Sequence, residues 1–261
     1  MDWPTLANEL DCWADAGQPA TLWWRDDDAV APSRALDRLL AIGERVPIAL
    51  AVVPGPAFAE LADRLSGEPQ VTVMQHGWRH VDHAAQAEPR QRSSEYPGGR
   101  AEAEVSSEFV LGRRRLVELF GERALPVFVP PWHQLDDRFL PLLRRAGISG
   151  ISRRAPRQSR TVAGLVQTNI HATLMQWIGS AQIPVFAGEA AVLTRIEGHL
   201  RGRRLGAFDS EEPTGILTHH LVEDTASYSF AARLLELTLA RHVRWLGAKE
   251  IFLGAPAVSR Q

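Results

Sequence analysis

Short apolar, β-rich runs alternate with longer helical patterns along almost the whole 261-residue chain. The runs predict strands over Thr21–Arg25, Pro47–Val53, Val71–Gln75, Pro126–Val129, Ile148–Ser152, Leu165–Ile170 and Gly215–Thr218. Several are apolar almost without interruption, as expected of parallel strands covered on both faces. Between them, apolar residues recur at three- and four-residue spacing. Ser33–Arg45 reads as a helix capped by Ser33, with Leu36, Leu39, Leu40 and Ile42 on or near one face. Ala57–Leu65, Ala101–Phe120, Asp136–Ala146, Glu189–Arg203 and Ser227–Leu246 carry the same pattern, and Gly121, Gly147 and Gly247 follow three of these where a left-handed C-cap is wanted. This alternation demands a parallel sheet with right-handed crossovers. With about seven such units and no break in composition, the expectation is one domain over residues 1–261, an α/β fold of the distorted (β/α)7 TIM-like barrel kind. An open doubly wound sheet is the rival. The polar stretch Glu88–Arg100 reads as a surface loop.

Composition narrows the classes. With 45% hydrophobic residues the chain can bury a sizeable core, and a net charge of -2 without a basic block gives no support for nucleic-acid binding. Cys12 is the single cysteine, so no intramolecular disulfide and no Cys-rich zinc module is expected. Met1-Asp2-Trp3-Pro4 lacks the basic-then-apolar pattern of a signal peptide, and no apolar stretch is long enough for a membrane span. A soluble cytoplasmic protein is the expectation, with the oligomeric state left open.

Chemistry-bearing residues gather at three predicted strand ends, where barrel active sites form. Arg25-Asp26-Asp27-Asp28 sets three carboxylates side by side, which repel one another unless a cation balances them. A solvated turn with a helix cap is the plainer reading. His76-Gly77-Trp78-Arg79-His80 places two histidines four apart, and on a helical turn both would reach one ion. Gly77 stands where a metalloprotease His-Glu-x-x-His has its base, so a zinc protease is not expected. With the Asp run, the pair makes an Asp-His-His set with an open position. His83 is a substitute ligand of less natural spacing. Third, the apolar run from Gly215 ends in His219-His220, of which alternation lets only one face the site.

The order of these motifs resembles the polysaccharide deacetylase family of NodB-homology, carbohydrate esterase family 4-like proteins, over residues 21 to 224. Its members are sugar N- or O-deacetylases on a distorted, typically seven-stranded barrel. The resemblance implies Asp26 as general base and Asp27, His76 and His80 as metal ligands. Leu217-Thr218-His219 is similar to the family's Leu-x-His, which implies His219 as general acid. Phe128-Val129-Pro130-Pro131-Trp132 is similar to a wall of the family's groove, giving Pro131 and Trp132 as substrate-binding residues, with Trp132 suited to stacking on a sugar ring. The chain also departs from the family. A third Asp replaces the Gly of Asp-Asp-Gly, so two frames fit the pair, Asp26/Asp27 and Asp27/Asp28. Val129 replaces an Arg that steadies the base, a charge that Arg25 is placed to supply; Arg25 is otherwise a candidate for substrate binding. The family's acidic-plus-Trp motif has no clean counterpart beyond His171–Trp177.

The resemblance implies a hydrolase with one divalent metal ion, zinc by its ligand types, with cobalt, nickel or iron as alternatives. The implied substrate is a carbohydrate or N-acylated small molecule. Two other readings stand beside it: a non-catalytic metal-containing carbohydrate- or metabolite-binding barrel, and an amidohydrolase of non-sugar amides.

Overall fold

In the computed structural model, which describes residues 1–84, 92–179, 181–241 and 243–254, the apolar runs line up as one curled parallel sheet. β1 (Thr21–Ala29), β2 (Ile48–Val52), β3 (Val71–His76), β4 (Ala124–Val129) and β5 (Gly150–Ile151) are neighbours in space in that order. β6 (Thr161–Val162) pairs antiparallel with β7 (Leu165–Gln167), and β7 lies parallel to β5. β8 (Ala172–Thr173) follows, then an antiparallel hairpin of β9 (Met175–Ile178) and β10 (Ile183–Phe186). β11 (Thr214–Thr218) lies parallel between β1 and β8, and β12 (Arg244–Trp245) extends the start of β1.

β7 and β8 belong to a single run, 165–173, that touches both edges of the sheet. It pairs with β5 at its start and with β11 at its end. Between these contacts Arg154 bridges Ile170, and the Ala155 N–H donates to the Ile170 carbonyl at 3.0 Å. The run closes a barrel of seven parallel strands, as the alternation of the sequence implies. The doubly wound rival is set aside.

Alternation along the strands divides the core in two. Trp23, Ala49, Ala51, Met74, Val127, Val129 and Leu217 fill the barrel interior. Leu22, Trp24, Ile48, Leu50 and Val52 face the other way and pack under the helices. These are α1 (Trp3–Asp15), α2 (Arg34–Ile42), α3 (Ala59–Leu65), α4 (Glu102–Phe120), α5 (Leu140–Arg145), α6 (Glu189–Arg204), α7 (Thr225–Ala240) and α8 (Ala248–Leu253). Ser33 caps α2 by accepting the Leu36 N–H at 3.0 Å, as its sequence suggests.

Four local expectations need correction. α1 is absent from the reading above, although Asp2 caps it and Trp3, Leu6, Leu10 and Trp13 form its buried stripe. α7 begins two residues early, behind a capping box of Asp224 and Ser227, and stops at Ala240, leaving Arg244 and Trp245 to pair with β1. Gly247 takes φ -78° as the N-cap of α8 and is no left-handed C-cap. In the predicted surface loop, residues 88–91 lie outside the described residues, and Ser94, Glu95 and Tyr96 are buried.

Candidate metal centre and its carboxylates

The Asp run ends β1 with a β-bulge. Asp26 pairs with Leu50 and Ala29 with Val52, so three steps on β1 oppose two on β2. Asp28 takes up the extra residue at φ +74°, a conformation uncommon for non-glycine residues. Strict alternation would send Asp27 and Asp28 to opposite faces, and the bulge removes that constraint.

Asp28 is the carboxylate that stands with the histidines. Its Oδ1 lies 3.1 Å from His76 Nε2 and 3.3 Å from His80 Nε2. The three ligand atoms form one potential cation-holding group, and Oδ1 is buried without a hydrogen-bond donor. Burial works to raise the Asp28 pKa, but His76 and then His80 outweigh it and hold it below the usual carboxylate range. The His76 Nδ1–H donates to the Val129 carbonyl at 3.0 Å, so the Nε2 lone pair faces Asp28. Two imidazoles and one carboxylate converging in this way fit a divalent cation. The segment from His76 to His80 is a bend, not the helical turn expected above, with Gly77 and His80 at φ +59° and +57°.

Asp27, expected as a ligand, is instead the partner of Arg25. The guanidinium reaches both carboxylate oxygens, Nε to Oδ1 at 2.8 Å and Nη2 to Oδ2 at 2.9 Å. Arg25 also donates through Nη1 to the Ser152 carbonyl and hydroxyl, at 3.1 and 2.7 Å. Fully buried and committed in this way, Arg25 has no face to offer a substrate, contrary to the expectation, from its place beside the Asp run, that it binds one. Burial raises the Asp27 pKa, yet Arg25 and then His76 prevail and keep it low.

Asp26, expected as the base, points into the helix layer. One of its carboxylate oxygens accepts from the Thr218 hydroxyl at 2.6 Å and from the His220 N–H at 2.9 Å, and the other meets His220 Nδ1. The residue is fully buried, and alternation explains the outcome, since Asp26 shares its face of β1 with Trp24.

His219 has its backbone N–H bound to Glu223 Oε1 at 3.1 Å and its ring edge-on to Trp177, centroids 4.8 Å apart. Its charge helps lower the pKa of both Asp27 and Asp28, so it shares their side of the barrel. Burial raises the Glu223 pKa to about 7. Trp132 stands 37% exposed with its ring 4.2 Å from that of His80, while Pro131 is buried beneath. His83 lies outside the cation-holding group.

Sequence reasoning missed His133, Ser152, Glu95 and Glu223. His133 Nδ1 meets Arg25 Nη2 at 3.3 Å, and burial and then Arg25 push its pKa down to about 3, so it is a neutral acceptor. Its place after Pro-Pro-Trp is the one signal available. A second group, His171, His199 and Glu212, gathers near the start of β11, at the other end of the barrel. There the Gly215 N–H donates to His171 Nδ1 at 2.8 Å, so the neutral ring carries its proton on Nε2 and has no lone pair for a metal.

Fold and site together define a closed β/α barrel that carries one carboxylate–imidazole centre at its strand ends, with a second, Arg-held carboxylate beside it. No protein-family model and no curated protein matches the chain. Among solved structures it is similar to one from Mycobacterium smegmatis described as a polysaccharide deacetylase, at 16% identity and TM-score 0.62, covering 90% of this chain and 89% of that one. It is also similar to the Bc1960 peptidoglycan N-acetylglucosamine deacetylase, at 14% identity and TM-score 0.54, covering 94% and 98%. A third is a BA3943 mutant, a carbohydrate esterase family 4 pseudoenzyme with restored activity, at 10% identity and TM-score 0.56, covering 89% and 67%. The barrel is that of the polysaccharide deacetylases of carbohydrate esterase family 4. No helix of the described residues is long and apolar enough to cross a membrane.

Proposed function

We propose that the chain is a metal-dependent hydrolase that removes an acyl group, acetyl in the simplest case, from an N-acylated sugar. Asp28, His76 and His80 hold the ion, Asp27 is the general base and His219 the general acid. The observation that carries this reading is the Arg25–Asp27 pair beside the Asp28–His76–His80 group. A binding module needs the second group at most, whereas a buried carboxylate kept ionised at the lip of a cation site is what a base requires.

When bound, a divalent ion acidifies water and polarises the acyl carbonyl. Asp27, oriented by both of its bonds to Arg25, takes the proton of the attacking water. A backbone N–H near Trp132 supports the oxyanion. His219 gives its proton to the departing nitrogen, and Trp132 stacks on the sugar ring. Val129 stands where the family has a base-steadying Arg. Arg25 supplies that charge from β1 instead, which supports catalysis.

The test combines metal analysis with an acetate- and formate-release assay over N-acylated sugars. Asp28→Asn is expected to deplete the metal, while Asp27→Asn keeps it and loses hydrolysis. His219→Gln is expected to keep metal and lower kcat by about two to four orders of magnitude. Metal retained in Asp28→Asn and lost in Asp27→Asn would overturn the assignment; no hydrolysis by the metal-loaded wild type over the whole panel would favour the binding module or a non-sugar amide.

A further inference from the structure

His80 is carried by a bend with no helix or strand to hold it, and its neighbour Gly77 is also left-handed. Such a segment holds a geometry only if its amides find partners. Three consecutive ones find the same partner. Trp78 N–H donates to Glu95 Oε2 at 3.1 Å, and Arg79 and His80 N–H donate to Oε1 at 2.7 and 3.1 Å. Glu95 is 1% exposed, and a carboxylate that accepts three backbone N–H groups forms charge-assisted bonds of the stronger kind.

We propose that Glu95 is the positioning residue of the metal loop, an anionic anchor that sets where His80 delivers its Nε2 relative to His76 and Asp28. The inference rests on those three residues being the metal ligands. It accounts for Gly77 from two directions. A Cβ at Gly77 would meet Glu95 Oε2 at 1.9 Å and Pro131 Cγ at 2.7 Å, and φ of +59° already disfavours a side chain. The carboxylate thus occupies the space that a side chain at 77 would need. The same contact ties the loop to Pro131 and so to the segment bearing Trp132.

Glu95 contributes charge as well as shape. In the ionised form it places a negative charge behind a cation site, against the backbone N–H groups of Arg79 and His80. Partners beyond the ligands are worth about 10- to 100-fold in metal affinity where they have been removed. Glu108, whose carboxylate engages Arg100 at 2.7 and 2.8 Å while the bend amides donate to Glu95, is the matched control.

The experiment strips the full chain with a chelator and titrates it with Co2+, reading both the affinity and the visible d–d spectrum. Glu95→Gln is expected to weaken Co2+ binding by about 10- to 100-fold and to change the spectrum, because an amide cannot accept three N–H groups as a carboxylate does. Glu95→Asp, which keeps the charge but is one methylene short, is expected to fall between. Glu108→Gln is expected to keep the wild-type affinity and spectrum even if its melting temperature drops. Wild-type affinity and spectrum in Glu95→Gln would overturn the proposal; if that variant does not fold, the same result in Glu95→Asp does so. A wild-type chain that binds no Co2+ would instead overturn the metal centre itself.

Discussion

Replacing Arg25 with Met tests the pair on which the mechanism depends. The substitution keeps an apolar stem of similar length inside the barrel and removes the guanidinium from both oxygens of Asp27. Both residues are essentially unexposed, at 0% and 1%, so water cannot replace the lost donors. An uncompensated buried charge costs about 3–5 kcal/mol. The Asp27→Asn change should therefore be far less damaging in the Arg25→Met background than in the wild type, a coupling of up to about 3 kcal/mol. The pH dependence follows from the sign of the shift. Arg25 holds the Asp27 pKa below its ordinary value, so this contribution is present above that value and is lost as the pH falls through the folded one. In Arg25→Met the largest influence holding the pKa down is gone, the weaker pull of His76 remains, and the carboxyl pKa rises. The deficit of the variant should then be full at neutral pH and shrink as acid protonates Asp27. Urea unfolding of metal-stripped wild type, both single variants and the double variant, at neutral and mildly acidic pH, gives the cycle. Additive single-variant costs, with a deficit that does not change with pH, would refute the argument.

Two further outcomes follow from the geometry. Asp26→Asn breaks the buried pair with His220 and should cost about 3 kcal/mol in urea unfolding, with metal content unchanged; loss of metal at wild-type stability would return Asp26 to the centre. Glu223, with its pKa raised to about 7, contributes stability that is fully present below its ordinary value and is lost as pH rises through 7. Glu223→Gln should accordingly be more stable relative to wild type at pH 8 than at pH 5, by at most about 3 kcal/mol, and an equal difference at both pH values would disprove that account.

The barrel was legible because its strands are buried on both faces and so write nearly continuous apolar runs. His76 and His219 were legible for a related reason, since each stands at the end of such a run, where side chains face the rim, and His80 was legible by its spacing of four from His76. The order within the Asp run was not. Period-two alternation settles which face Asp26 takes, but the bulge at Asp28 interrupts the period, and no residue in Arg25–Asp28 announces a bulge as a glycine would. Glu95 was out of reach altogether, since its tie to the His80 loop spans 15 to 17 residues and runs through backbone amides that have no residue-specific signature. The start of α1, in contrast, was available in the Asp2 cap and the spacing of Trp3, Leu6, Leu10 and Trp13.

The closing run 165–173 also constrains how the protein comes into being. It needs β5 on one side and β11 on the other, and β1 needs β11 as well. While the chain is still being synthesised, a segment that has delivered only β1 to β5 presents two open strand edges with apolar faces, the template for pairing with another chain. The β5 edge is covered once Leu165–Gln167 has emerged, but the β1 edge stays open until Thr214–Thr218 follows. The nascent chain therefore carries an edge that invites association from β1 until β11, and its yield in a cell should depend on how long that interval lasts and on what shields the edge meanwhile.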